Sequence, residues 1–202
     1  MDIEEEPSLL KIARLARASK NLVRTGWMLR GIPPAYGETV AAHSYEAALI
    51  ALHAGYELKR MGVEVDPYRA AALALIHDIA EGLVGDIVKR VTEAIGAKEK
   101  EELELAAVRD HLGENSIFAN LLSEFAEQKT TEAVLAKFAE QLSTLMQALT
   151  YRSQGFDVNE IACSMAKSLR KMAEKHSFIA RYVEHAGIPL RDVDHLCKKA
   201  SN

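Results

Sequence analysis

The sequence predicts an all-α fold, and three observations carry that expectation. Apolar residues recur at three- and four-residue intervals through nearly the whole chain. Period-two alternation appears only briefly, around VEVD, and is too short to build a sheet. Finally, 202 residues with 49% hydrophobic and 27% charged side chains match ordinary globular composition. A chain of this length buries about 70% of its unfolded surface, so a core forms without a metal or disulfide staple. One compact domain over residues 1–202 is expected, with its core at about 10–176 and short C-terminal helices packed on it.

Each element has a local reason. A first helix from Ser8 to Val23 carries Leu9, Ile12, Leu15 and Ala16 on one face. The stretch RTGWMLRGIPPAYGE then gathers Gly26, Gly31, Pro33, Pro34 and Gly37, residues that end helices and make loops. A long helix from Thr39 to Arg60 stops near Gly62, and Asp66 caps the next helix with Pro67 at its first position. That helix is mostly apolar and is read as continuing through His77, Asp78 and Glu81. EGLVGDIVKRV, with Gly82 and Gly85, reads as a broken turn, and KEKEELELAAVRDHL as a solvated helix ending near Gly113. Helices at 116–127 and 131–152 follow, and Gly155 stops the latter. Asp157 and Glu160 resemble a capping box for a helix to His176, and two short helices separated at Gly187 and Pro189 close the chain, about eight helices in all.

Charge and cysteine usage exclude several roles. A formal net charge of −4 argues against a protein that coats nucleic-acid polymers by neutralising phosphates. No apolar run approaches the ~20 residues that cross a bilayer, since AALALIHDIA is broken by His77 and Asp78. The opening MDIEEEPSLL is acidic where a signal peptide is basic, and Cys163 and Cys197 lie far apart with no CxxC spacing. A reducing, cytoplasmic setting is the expectation.

Chemistry concentrates in AALALIHDIAEG. Two turns of Ala, Leu and Ile precede His77, Asp78 and Glu81, so polar groups arrive in apolar surroundings. A buried ionised carboxylate must be paired or bound to a cation, and one imidazole cannot satisfy two carboxylates. The bland alternative is a hydrogen-bonded His-Asp pair near a helix end. His43, on a second apolar helix 34 residues earlier, could join the cluster or be a core histidine. His53, His111, His176, His185 and His195 lack comparable carboxylate neighbours and are given no chemistry. From Pro7 to Gly37 there are six bases and no acid. Lys11, Arg14 and Arg17 read as a solvated face, whereas Arg24 and Arg30 flank Thr25, Gly26 and Trp27 where a guanidinium fork could grip phosphate. Trp27 either stacks near a nucleotide or anchors the loop in the core.

RTGW, ETVAAHS and HDIAEGLVGDI, in this order and spacing, resemble the HD-domain metal-dependent phosphohydrolases, and specifically their 5′-deoxynucleotidase branch. The resemblance spans roughly residues 10 to 170 and implies an HD-domain helical bundle. It further implies that His43, His77 and Asp78 hold one divalent ion (Mn, Co, Mg, Zn or Fe), with Glu81 as the acid or base beside it. Arg24 and Trp27 would meet the nucleotide, and Asp86 the deoxyribose, although an Asp after Gly85 also reads as a helix cap. The implied substrate is a nucleoside 5′-monophosphate and the implied assembly a homodimer. One departure stands out: AKFAEQLS places Ser143 where the family pattern AKFxxQLD ends in a metal-binding aspartate. A hydroxyl is a poor divalent-ion ligand, so Ser143 is expected to weaken the site unless Glu140, three residues earlier, reaches across. Ala42, where an acid is common in relatives, is a milder departure. A binding protein without turnover and a phosphodiesterase are the alternatives.

Overall fold

The computed structural model describes residues 8–190 together with Cys197. Among these it is helical throughout, with eleven helices, two of them single turns, and one isolated β-bridge between Val23 and Thr39. The all-α expectation holds.

The first helix, α1, spans Ser8–Asn21, and a single turn, α2, spans Thr25–Met28. The long helix α3 (Val40–Arg60) begins where expected, with the Thr39 hydroxyl accepting from the Ala42 N–H. For α4 (Pro67–Ile76), Asp66 accepts from the N–H groups of Tyr68 and Arg69 while Pro67 fills the first turn. Side-chain caps also open α8 (Ile117–Glu127) at Ser116 and α9 (Thr131–Ser153) at Thr130. Between α4 and α8 in sequence lie α5 (Glu81–Val84), α6 (Lys89–Ile95) and α7 (Ala97–Leu112), while α10 (Asn159–Lys175) and α11 (Ser177–His185) follow α9.

Several expectations change. The helix carrying His77 does not run on to Glu81: α4 ends at Ile76 and residues 77–80 form a tight turn. The N–H groups of Ile79, Glu81 and Gly82 bond three residues back, to Ile76, Asp78 and Ile79. This 3₁₀-like winding rotates successive side chains by more than an α-turn does, turning His77, Asp78 and Glu81 inward together. The segment read as a broken turn, 81–91, contains α5 and the start of α6, separated after Gly85 at φ +83°, a conformation that favours glycine. The capping box at Asp157 is not formed, because Val158 is the cap residue and Asp157 Oδ1 accepts instead from Asn159 Nδ2 at 3.1 Å. The helix expected after Pro189 falls largely outside the described residues.

The cysteines also depart from expectation, since Cys163 of α10 is disulfide-bonded to Cys197, with Cα atoms 4.9 Å apart. Thirty-four residues of sequence separation say nothing about distance once the chain doubles back after α10. No helix among the described residues is long and apolar enough to cross a membrane.

The core lies between α3, α4 and α9, which pack on one another, with α10 laid on α9 and α11 closing one side against α10 and α3. Its largest buried side chains include Leu58, Leu73, Leu135, Phe138 and Leu169. Gly55 lets α3 and α4 approach closely, since a Cβ there would lie 2.9 Å from Pro67 Cα. A smaller cluster, Ile76, Ala80, Val108, Ala119 and Leu122, joins the end of α4 to α7 and α8. The two histidine-bearing segments are thereby held against the middle of α9.

Candidate active site

His43 projects from the first turns of α3 into the core and is fully buried. Burial, and then the nearby Arg24 guanidinium, holds its imidazole well below the ordinary histidine range, so it is neutral. Its ring packs edge-on to that of His77, with centroids 5.1 Å apart. His77 directs Nδ1 to the Ala74 carbonyl oxygen at 2.7 Å, an acceptor, so Nδ1 carries the proton and Nε2 is left for the site. Asp78 Oδ2 lies 3.0 Å from His77 Nε2 and 3.9 Å from His43 Nε2. Burial opposes ionisation of Asp78, but the His77 imidazole outweighs it and keeps the carboxyl below its usual range. For His77 burial is likewise outweighed by Asp78, and its affinity for a proton rises.

His43 Nε2 is buried without a hydrogen-bond partner. Ligand atoms of His43, His77 and Glu140, all buried, lie within 4.8 Å of one another. Glu140 thus faces the two imidazoles from α9, while Ser143, one turn further on, turns away from that point and bonds to the opposite side of the His43 ring, Nδ1, at 3.2 Å. A neutral imidazole with a bare buried nitrogen, a second imidazole and two carboxylates form a donor set that fits a divalent cation. Lys137 pairs with Glu140 at 2.7 Å and sits over the Phe125 ring, 5.4 Å from its centroid.

Glu81 opens α5 beside this group and is 5% exposed. Burial first, then the charges of Asp78 and Asp86, push its carboxyl up to about 10, and Oε2 has no partner. His77, Asp78, Glu81 and Glu140 border a cavity of about 1010 Å³ that also reaches Arg24, Trp27, Asp86 and Lys100.

The substrate-side residues are placed by the loop before α3. The N–H of Arg24 donates to the Glu38 carbonyl and that of Val40 to the Leu22 carbonyl, tying the loop to the head of α3. Arg24 Nη1 then donates to Thr144 Oγ1 at 3.1 Å and to Glu38 Oε2 at 3.4 Å. Burial opposes its charge, but Asp78, Glu38, Glu81 and Asp86 together hold it more firmly protonated. Trp27 is 2% exposed, its Nε1 donates to Glu38 Oε2 at 2.9 Å and Tyr151 lies edge-on to it, contacts that fit the anchoring reading, while the residue also borders the cavity. Asp86 does not cap the helix that follows it; its carboxylate accepts from the Thr25 N–H, joining the GDI segment to the start of α2 while bordering the cavity. Arg30 pairs with Glu160 of α10 at the rim.

Sequence reasoning missed Glu38, which organises Arg24 and Trp27, and Lys100, paired with Glu104 at 2.7 Å on the cavity wall. It also missed Glu46, which accepts from Ser143 Oγ at 2.7 Å. The acidic Glu38 at the end of an otherwise basic stretch was a usable signal; an acid on a solvated-looking helix face such as Glu46 or Glu104 carried none.

Fold and site together define an all-helical protein with a buried His/carboxylate centre suited to a divalent ion, set at the mouth of a ligand-sized cavity. Residues 16–179 match the HD domain, and the chain belongs to that family. It is 33% identical over 150 residues to the 5′-deoxynucleotidase HDDC2 of Xenopus laevis, covering 71% of this chain and 69% of that one. Against the 5′-deoxynucleotidase YfbR of Salmonella typhi it is 29% identical over 170 residues, 77% of this chain and 83% of the relative. Among solved structures, a conserved hypothetical protein from Pyrococcus furiosus superimposes with a TM-score of 0.76 at 31% identity, covering 92% of this chain and 99% of that one. The PH0347 protein from Pyrococcus horikoshii gives 0.76 at 26% identity, over 93% and 99%.

Proposed function

We propose that this protein is a metal-dependent phosphomonoesterase that hydrolyses (deoxy)nucleoside 5′-monophosphates to nucleoside and phosphate. The observation that carries the reading is the buried group of His43, His77 and Glu140, of which His77 and Glu140 border one cavity together with Glu81 and Arg24. The names of the relatives, 5′-deoxynucleotidases from bacteria to vertebrates, support the substrate class.

In this reading His43, His77, Asp78 and Glu140 hold one divalent ion, and the set accommodates Mn²⁺, Co²⁺, Zn²⁺, Fe²⁺ or Mg²⁺. When bound, such an ion offsets phosphate charge and lowers the pKa of a nearby water. Arg24, oriented by Thr144 and Glu38, offers its free N–H groups to phosphate oxygens. Glu81, buried with one oxygen unpartnered, exchanges a proton with the attacking water and the departing 5′-oxygen. Asp86 keeps α2 in place and stands on the side of the cavity where a sugar hydroxyl could be bound. Trp27 contributes by fixing the loop that carries Arg24. A single domain, a cytoplasmic setting, a homodimer and indifference to nucleic-acid polymers belong to the same proposal, and thiol titration of the Cys163–Cys197 pair and sedimentation test the second and third.

Ser143 favours the competing reading of a binding protein without turnover, and Glu140 answers it by supplying the carboxylate from one turn away. The test is phosphate release from deoxy- and ribonucleoside 5′-monophosphates by metal-stripped protein, with Mg²⁺, Mn²⁺, Co²⁺ or Zn²⁺ restored singly. Ion-dependent release that drops about 10²- to 10⁴-fold in Glu81→Gln is expected. Folded protein that releases no phosphate with any of these ions overturns the proposal.

A further inference from the structure

His43 is oriented by a two-membered relay whose parts come from different helices. Its Nδ1 is 3.2 Å from Ser143 Oγ on α9, and Ser143 Oγ donates to Glu46 Oε2 on α3 at 2.7 Å. Ser143 is fully buried and Glu46 half-buried, so water does not substitute freely for either bond. The proton inventory of the chain then has one solution. A carboxylate only accepts, so the single hydroxyl proton of Ser143 goes to Glu46. What Ser143 presents to the imidazole is therefore a lone pair, and Nδ1 must carry the hydrogen. A neutral imidazole protonated at Nδ1 leaves Nε2 bare, and Nε2 is the atom that is buried without a partner and faces Asp78.

We propose that Glu46 and Ser143 are positioning residues that lock His43 in the Nδ1–H tautomer, so that Nε2 is permanently presented as a cation ligand. This rests on the metal-site reading above and gives Ser143 a role in place of direct coordination: the carboxylate that the site lacks at 143 acts from 46, through the hydroxyl, on the far side of the ring. Hydrogen bonds of this kind raise the basicity of a ligating imidazole and fix its orientation. The matching device on His77 is the Ala74 carbonyl, so each imidazole has its own acceptor at Nδ1, and the Nε2 atoms of His77 and His43 lie 3.0 and 3.9 Å from the same Asp78 Oδ2.

The test reads tautomer and ion affinity separately. In metal-free, ¹⁵N-histidine-labelled protein at neutral pH, long-range ¹H–¹⁵N correlation is expected to show His43 as Nδ1–H. In Ser143→Ala and Glu46→Gln the Nε2–H form gains population, and Co²⁺ affinity, followed by competition with a chelating dye, weakens about 10- to 100-fold. Ser143→Thr, which keeps the hydroxyl, restores both readouts, and Glu46→Gln covers the case in which the buried Ser143→Ala variant misfolds. A wild-type His43 protonated at Nε2, or folded Ser143→Ala and Glu46→Gln variants with unchanged tautomer and Co²⁺ affinity within about twofold of wild type, overturns the relay. Wild-type protein that shows the Nδ1–H tautomer but binds no Co²⁺, Mn²⁺ or Zn²⁺ instead overturns the metal-site reading and leaves the hydrogen-bond assignment standing.

Discussion

The cavity has two unlike walls. One is built by α9, which brings Lys137, Glu140, Gln141 and Thr144 to the cavity from the densest part of the core, with His43 of α3 buried close to Glu140. The other is built by α5, α6 and α7, where α6 has no buried residue and α7 has only Glu104 and Val108. The candidate ion-binding cluster thus lies on the densely packed side, and Arg24 borders the cavity between that side and the lightly packed, charged helices α5, α6 and α7. Two tasks are divided between them. Metal chemistry needs ligand atoms held to a fraction of an ångström, whereas admission of a substrate needs a wall that can give.

The largest expected contrast is in stability. Leu135, fully buried in α9, should lose about 2–5 kcal/mol on truncation to Ala, whereas Val91→Ala on α6, 44% exposed, should change stability by about 0.5 kcal/mol or less. Urea unfolding of both variants measures it, and equal losses would erase the distinction between the walls. Next comes the junction between them. Arg24→Lys keeps the charge but cannot hold Thr144, Glu38 and a phosphate in one planar fork, so kcat/KM for a nucleoside monophosphate should fall about tenfold, roughly 1.4 kcal/mol, with little change in ion affinity.

The smallest effect belongs to the outer side of the core, where Arg69 of α4 pairs with Glu124 of α8. That bond holds the Glu124 carboxyl below its ordinary value of 4.5. Because the folded-state value is depressed, the stabilisation is present above about pH 4.5 and is lost as pH falls through the folded value. Arg69→Gln should therefore lower Tm by about 2 °C or less at pH 7, and the two proteins should converge once the pH falls below the depressed folded-state value of Glu124. A gap that widens at low pH would contradict the assignment.

Signals confined to a few residues were legible in the sequence. Asp66 with Pro67, Thr39, and the glycines at 62, 113 and 155 mark helix ends because capping and positive φ are local physics, satisfied within three or four residues. His43, His77, Asp78 and Glu81 were legible too, since polar groups in apolar runs must be satisfied and the motif spacing resembled a known family. The break after Ile76 was not legible, because an apolar helix and a tight turn share the same pattern over four residues.

Everything that depends on which atom faces which follows from tertiary packing. Glu140 and Ser143 stand three residues apart on α9, and only the placement of α9 against α3 shows that the carboxylate lies with the two imidazoles while the hydroxyl meets His43 Nδ1. Trp27 could stack or anchor, and the positions of Glu38 and Tyr151 around its ring fit the anchoring reading. Cys163 and Cys197 read as unrelated along the chain and meet because it turns back on itself. Most helices, the caps at Thr39 and Asp66 and the candidate polar cluster follow from the sequence alone, because short-range periodicity and the cost of burying charge are written in neighbouring residues. Which face of His43 is free to bind an ion is a long-range contact between helices a hundred residues apart, and no local pattern encodes it.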